Sequence, residues 1–193
     1  FVPVTIPDVI KLGHFDGGVP FADAGAQAIW SDAAVWVPQA LWRAYGDRDR
    51  LAAHYPGMVA HLEAVEPLLS ETGLWDVGYQ LADWLDPDAP PHDPAAAKAD
   101  TGVVATASLY RSALFAAETA SLLGHPADAA RWSALAARLR DAFRTHYVSW
   151  PDDQIRVVSD CATVYALAIT FGLLEGEETA LASDRLAQLV AER

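Results

Sequence analysis

Residues 122–125, Leu-Leu-Gly-His, join two stretches of helical sequence, and the same kind of joint occurs twice more in the chain. Residues 44–47 read Ala-Tyr-Gly-Asp, and residues 170–173 read Thr-Phe-Gly-Leu. In each case a stretch with apolar residues at helical spacing ends at glycine, which is common just after a helix, and a more charged stretch follows at once. The repeated joint predicts αα-hairpins in tandem.

The predicted hairpins span residues 31–70, 103–147 and 160–193, so the predicted fold class is all-α. Tandem hairpins form either an open solenoid or a segment of a closed α/α barrel. The turns within the hairpins are short, but the connection over residues 71–101 is long and rich in Pro, Asp, Gly and aromatic residues. Long loops of this kind favour a barrel with a functional mouth. We expect residues 1–193 to form one partial barrel domain.

The start of the chain differs from the helical part. Residues 1–30 contain β-branched residues, prolines and glycines, which predict an extended lead-in. Their most apolar part, residues 1–12, is interrupted by prolines and an aspartate, so we expect no membrane partner. Because the chain begins at Phe1 and not at Met, we expect it to be a processed or excised segment. Ser31 is predicted to be the N-cap of the first helix.

The composition excludes some functions and leaves the compartment open. The chain has 26 Asp and Glu against 13 Lys and Arg, a net charge of -13. An acidic surface repels phosphate backbones, which argues against a nucleic-acid partner. Cys161 is the only cysteine, so the chain cannot form an internal disulfide and its stability must come from packing.

Tryptophan and aspartate occur together in two clusters, which are the candidate substrate-binding sites. Their members are Trp30, Asp32, Trp36, Trp75, Asp83 and Trp84. Sugars are bound by aromatic rings that stack on their C–H faces and by carboxylates that accept hydrogen bonds from their hydroxyls. The structural alternative is that Asp32 is a first-turn acid, Trp36 a core residue and Asp83 a loop former.

No motif indicates a metal, a cofactor or a covalent nucleophile. The six histidines are dispersed, and the seven-residue spacing of His54 and His61 is poor for a metal site. Phosphate-binding, dinucleotide-binding and Gly-X-Ser-X-Gly motifs do not occur. We therefore expect neither a cofactor nor a metal.

Residues 1–9, Phe-Val-Pro-Val-Thr-Ile-Pro-Asp-Val, and residues 30–38, Trp-Ser-Asp-Ala-Ala-Val-Trp-Val-Pro, resemble the middle of the catalytic domain of bacterial α-L-rhamnosidases. The resemblance continues in order through residues 41–47, 82–87, 105–110, 163–168 and 171–174. Each piece is short, but the combined pattern is specific and covers nearly the whole chain. One departure is Ala28-Ile29, where the family usually has Gly before the Trp.

The resemblance implies an (α/α)6 barrel, of which three hairpins are about half. It implies an inverting hydrolase that releases terminal L-rhamnose and needs neither cofactor nor catalytic metal. Carried over to this sequence, Trp30 and Trp84 would contact rhamnose, and Asp32 and Asp83 would lie near the sugar. Trp36 and Trp75 are further candidates.

The resemblance assigns no catalytic residue to this chain. An inverting glycosidase uses a carboxylic acid and a carboxylate base about 6.5–9.5 Å apart. In the family the acid lies in an Asp-Glu-Arg…Gly-Trp stretch ahead of the matching region, and the base is a Glu well beyond it. Neither stretch occurs here, so we expect the chain alone to be inactive. Its expected partners are a rhamnose-containing glycoside and either the remainder of the same enzyme or a second copy, because half a barrel exposes apolar faces.

Two alternatives remain at this point. One is another α/α-barrel glycosidase with carboxylates in other positions, and the other is a helical-repeat interaction module that binds peptides. Convergence of Trp30, Asp32, Asp83 and Trp84 on one concave pocket would favour the sugar site.

Overall fold

A computed structural model of the chain describes residues 25–93 and 96–192. Within them lie six α-helices: α1 Ala33–Tyr45, α2 Arg48–Val65, α3 Thr101–Leu123, α4 Pro126–Tyr147, α5 Ala162–Phe171 and α6 Glu177–Ala191. Two short strands, β1 Val148–Ser149 and β2 Arg156–Val157, pair antiparallel between α4 and α5. The all-α prediction is confirmed. Residues 1–24, which make up most of the predicted lead-in, lie outside the described residues.

The three glycine joints have the same geometry. Gly46, Gly124 and Gly172 follow α1, α3 and α5 with φ of 62°, 85° and 78°, and each N–H donates back to a carbonyl of its own helix. A left-handed residue ends a helix in this way, and glycine adopts that conformation without a steric penalty. The next helix begins within a few residues of each glycine, so consecutive helices form the predicted hairpins.

Helix α3 is the centre of the packing. It contacts its hairpin partner α4 and also α1, α2 and α5. Of its residues, 16 are buried, and most of these are Ala, Val, Ser or Thr, which allow neighbouring helices to approach closely. The largest fully buried side chains around it include Trp75, Trp132, Phe143 and Tyr165. The core therefore surrounds α3.

Ion pairs join the more charged second helices of the hairpins. Arg131 of α4 lies 2.8 Å from Glu63 and 3.1 Å from Glu66 at the end of α2, and Arg144 lies 2.6 Å from Glu178 of α6. These side chains are partly exposed, so each pair contributes at most about 1 kcal/mol. None of the described helices has the length and apolarity that a membrane crossing requires.

Candidate functional site

Trp30 lies in a closed turn that precedes α1. The Ser31 N–H donates to the Gln27 carbonyl at 2.8 Å, and the Gln27 N–H donates to Ser31 Oγ at 2.9 Å. The hydroxyl of Ser31 therefore closes the turn and does not cap α1, so the predicted N-cap is wrong. Ile29, next to Trp30, has a φ of 72°, which is unfavourable for a β-branched residue. The turn leaves Trp30 partly exposed.

Asp32 is fully buried between α1, α2 and α3. Its Oδ1 accepts a 2.6 Å hydrogen bond from Ser112 Oγ and lies 3.3 Å from His61 Nε2, and its Oδ2 accepts from the Ile29 N–H at 2.9 Å. Buried carboxylates are stable when donors surround them in this way. Asp32 thus supports the Trp30 turn through the Ile29 N–H and does not face solvent.

Trp36 lies one helical turn further along α1. Its indole N–H donates to Ser112 Oγ at 2.9 Å. The Arg111 guanidinium lies 4.0 Å from the centre of the ring, and Phe171 packs edge to face at 5.9 Å. Burial lowers the pKa of Arg111, and the positive charge of Arg43 lowers it further. Trp36 is therefore held on both sides by neighbouring helices.

The same arginine lines a cleft of about 450 Å³ between α1, α3 and the end of α5. Its lining includes Gln39, Arg43, Arg111, Leu114, Glu118 and Phe171. None of the six predicted site residues lines this cleft. Among residues 25–93 and 96–192, no group of three His, Cys, Asp or Glu side chains is placed to hold a metal ion.

Trp75 belongs to the core. It is 1% exposed, and its backbone N–H donates to Thr106 Oγ1 of α3 at 3.0 Å. The structure therefore places Trp75 apart from the partly exposed tryptophans.

Asp83 and Trp84 lie in the long loop before α3, and both are partly exposed. Asp83 Oδ2 accepts a 2.6 Å hydrogen bond from Thr163 Oγ1 in the first turn of α5. Ala82 and Leu85, on either side of the pair, have φ values of 47° and 67°. Non-glycine residues in this conformation are strained, and such strain is concentrated at functional sites.

Two glutamines join the Trp30 turn to the Asp83 loop. The side-chain amide of Gln27 donates to the Tyr79 carbonyl and accepts from the Leu81 N–H. The side chain of Gln80 makes the equivalent pair of bonds to the backbone on either side of Gln27. The structure thus brings together the loops that carry Trp30 and the Asp83–Trp84 pair.

The sequence did not reveal the residues that hold these loops. No spacing pattern in the sequence identifies these residues, because their hydrogen-bond partners are distant in the chain. They are Gln27, Gln80, Ser112 and Thr163. A usable signal existed only for His61, because its position three residues after the buried Met58 places it on the buried face of α2.

Tandem αα-hairpins, with loops that bear tryptophan and aspartate between them, define a helical-hairpin protein with a candidate sugar-binding site. Over residues 1–193 the sequence matches the model of the bacterial alpha-L-rhamnosidase 6 hairpin glycosidase domain. The chain belongs to this family. The match confirms the predicted resemblance and the partial α/α barrel, and it favours them over the other glycosidases and the interaction module.

Individual relatives agree with the family match. An alpha-L-rhamnosidase of Streptomyces avermitilis is 36% identical over 162 residues, which cover 83% of this chain and 14% of the relative. One from an Alteromonas species is 28% identical over 196 residues, covering 98% of this chain and 19% of the relative. The chain therefore spans less than a fifth of the length of these relatives.

Solved structures show the same fold. The native alpha-L-rhamnosidase of Aspergillus terreus superposes with a TM-score of 0.85 at 27% identity, over 99% of this chain and 21% of that one. The Streptomyces avermitilis enzyme, in complex with L-rhamnose, superposes with a TM-score of 0.73 at 34% identity, over 86% of this chain and 15% of that one.

Proposed function

We propose that the chain forms part of the sugar-binding wall of an inverting α-L-rhamnosidase, which releases terminal L-rhamnose from rhamnosides. The observation that supports this most is the direct joining of the Trp30 turn to the loop of Asp83 and Trp84. Two partly exposed indole rings and a carboxylate on adjoining loops suit a sugar, which offers both a C–H face and hydroxyl groups. The Streptomyces avermitilis relative was solved with L-rhamnose bound, which supports the choice of sugar.

The six candidate residues divide into two roles in this proposal. Trp30, Asp83 and Trp84 contact the sugar, because they are partly exposed and lie on the joined loops. The others support the wall from behind, because they are buried or enclosed by neighbouring helices: Asp32, Trp36 and Trp75.

A titration with L-rhamnose, followed by tryptophan fluorescence, tests the contact residues. Trp30→Ala and Trp84→Ala are each expected to weaken binding about five-fold, as the loss of about 1 kcal/mol of aromatic contact implies. Trp150→Ala is the matched control, because Trp150 is 47% exposed and lies outside both loops. Unchanged affinity in Trp30→Ala and Trp84→Ala would contradict the proposal.

We further propose that the 193-residue chain alone does not hydrolyse rhamnosides. A general acid must reach the glycosidic oxygen, but Asp32 is fully buried and Asp83 is hydrogen-bonded to Thr163. Neither residue is therefore suited to act as the acid of an inverting pair. The purified chain is expected to release no rhamnose from an aryl rhamnoside, and detectable release would refute this.

We also propose that the first helices of the hairpins pack against the remaining hairpins of the same enzyme or against a second copy. Val37 of α1 and Leu114 of α3 are 54% and 41% exposed, although both lie on helices that otherwise form the core. Exposed apolar faces of this kind drive association. Sedimentation of the chain alone is expected to show association, and a monodisperse monomer with a cooperative melt would count against it.

A further inference from the structure

Gln27 and Gln80 form a reciprocal contact between two loops more than 50 residues apart in the chain. Gln27 Nε2 lies 2.7 Å from the Tyr79 carbonyl oxygen, and Gln27 Oε1 accepts from the Leu81 N–H at 3.1 Å. The amide of Gln27 thus bonds to the backbone on both sides of Gln80. The amide of Gln27 therefore supplies the same donor and acceptor that the backbone of a neighbouring β-strand would supply.

Gln80 makes the reverse arrangement. Its Oε1 accepts from the Ala28 N–H at 2.8 Å, and its Nε2 donates to the Ala26 carbonyl at 3.3 Å. Gln27 is 1% exposed and Gln80 is 7% exposed, so water cannot readily replace either amide. Removing the Gln27 side chain would take the acceptor from the buried Leu81 N–H, and removing that of Gln80 would take the acceptor from the buried Ala28 N–H. Such a loss is more costly than the loss of an exposed hydrogen bond.

Each loop is also held by a second hydrogen bond, at a residue that follows the glutamine in the chain. The Trp30 turn is held by Asp32 through the Ile29 N–H, and the second loop is held by Thr163 through Asp83. The glutamine contact is the link between these two anchored segments, and it lies three residues before Trp30 and four residues before Trp84. The spacing of the two tryptophans therefore depends on Gln27 and Gln80.

We propose that Gln27 and Gln80 are positioning residues that hold the Trp30 turn and the Asp83–Trp84 loop at the separation required to bind the sugar from two sides. This inference rests on the proposed rhamnose-binding function. Neither glutamine needs to touch the sugar, because the contact acts through the backbone of the loops that carry the tryptophans.

The test replaces each glutamine by methionine, which has a similar length but no amide. Gln27→Met and Gln80→Met are each expected to weaken L-rhamnose binding, followed by tryptophan fluorescence, about five-fold. The affinity of the double variant for L-rhamnose is expected to be at most about two-fold below that of the single variant with the lower affinity. The reason is that either substitution already breaks the shared contact. The matched control is Gln39→Met, which removes another buried amide, 5% exposed, in α1. Its affinity for L-rhamnose is expected to stay unchanged even if its melting temperature falls as much as those of the Gln27→Met and Gln80→Met variants.

Amide hydrogen exchange in the unsubstituted chain provides a test that does not depend on the folding of the variants. If the contact opens as one unit, the protection factors of the Ala28 and Leu81 N–H groups agree within about three-fold. A difference above about ten-fold would show that the loops open independently and would overturn the inference.

The outcomes separate the two proposals. If the unsubstituted chain shows no fluorescence response to L-rhamnose, the proposed function fails, and the exchange data then decide only whether the loops form one unit. If the unsubstituted chain responds and the glutamine variants bind rhamnose as well as it does, the positioning role fails while the sugar site stands. If Gln39→Met weakens binding as much as the others, the effect is one of general stability and the inference is overturned.

Discussion

Ser112 Oγ donates a 2.6 Å hydrogen bond to Oδ1 of Asp32, although 80 residues separate them in the sequence. Both side chains are fully buried, and the same hydroxyl accepts from the indole N–H of Trp36 at 2.9 Å. The start of α1 is therefore attached to the middle of α3 by one serine. Since the Trp30 turn directly precedes α1, this serine also supports the turn.

Replacing Ser112 by alanine is expected to lower the free energy of unfolding by about 1–3 kcal/mol, because a buried carboxylate and a partly buried indole N–H each lose a partner. Urea denaturation measures the change. Ser121→Ala, at an exposed position of the same helix, is the control and is expected to shift stability by less than about 0.5 kcal/mol. Equal stability of the two variants would contradict the role of the Ser112 network.

Leu85→Gly is expected to be more stable than Leu85→Ala by about 0.5–1 kcal/mol. Leu85 has a φ of 67° and is 66% exposed, so glycine relieves strain while little packing is lost. Alanine loses the same packing but keeps the Cβ atom that makes this conformation unfavourable, so it is the matched control. Thermal and urea unfolding of both variants measure the difference. Equal stability would show that the loop relaxes around residue 85.

Two helical glycines are expected to respond to alanine in opposite directions. A Cβ at Gly102 would lie 2.8 Å from Asp76 Cβ and would also meet the Tyr147 hydroxyl, so Gly102→Ala should lower stability by about 1–3 kcal/mol. Gly57 lies inside α2 with open space around it, so Gly57→Ala should raise stability by up to about 1 kcal/mol. Urea unfolding measures both, and a stabilising Gly102→Ala would refute the close approach.

Asp160 links stability to pH. Hydrogen bonds from the Arg185 guanidinium, the nearer at 2.6 Å, and from the Tyr165 hydroxyl hold the pKa of Asp160 below its usual value. Because the folded pKa is the lower one, the stabilisation is present above the unfolded pKa, near pH 4, and is lost as pH falls through the folded pKa. Asp160→Asn is therefore expected to be less stable than the unsubstituted chain at pH 7, and the gap should narrow towards pH 3.

Urea unfolding at both pH values measures that gap. Asparagine tolerates the positive φ of 39° at this position, so the substitution tests the charge and not the backbone. Asp152→Asn, at an exposed position that also has positive φ, is the control and should show no such narrowing. A gap for Asp160→Asn that stays constant between pH 7 and pH 3 would contradict the linkage.

Helix positions followed from the sequence because their causes are local. Gly124 ends α3 and Pro126 begins α4 through conformational preferences that do not depend on the rest of the fold. The prediction for Ser31 failed because its hydroxyl accepts from the Gln27 N–H and not from the first turn of α1. A local rule identifies a suitable cap, but competing partners decide which donor it accepts from.

The tryptophans and aspartates of the candidate site were visible in the sequence, but their environments were not. Trp75 and Trp84 occur in the same long loop, yet Trp75 is 1% exposed while Trp84 is partly exposed. The prediction that these residues contact a sugar stays a prediction for Trp30, Asp83 and Trp84. For Asp32, full burial indicates support of the neighbouring turn.

By itself the sequence determined the helices, their hairpin order and the family, since short-range periodicity, glycine joints and an ordered series of short motifs are all encoded along the chain. Only the tertiary structure decided that Asp32 lies against Ser112 and that Gln27 lies against Gln80. Ser112 donates directly to Asp32, and each glutamine side chain bonds to the backbone on either side of the other glutamine. All of these hydrogen bonds join segments that are 50 to 80 residues apart. Such bonds depend on how distant segments pack together, so no local pattern of residues predicts them.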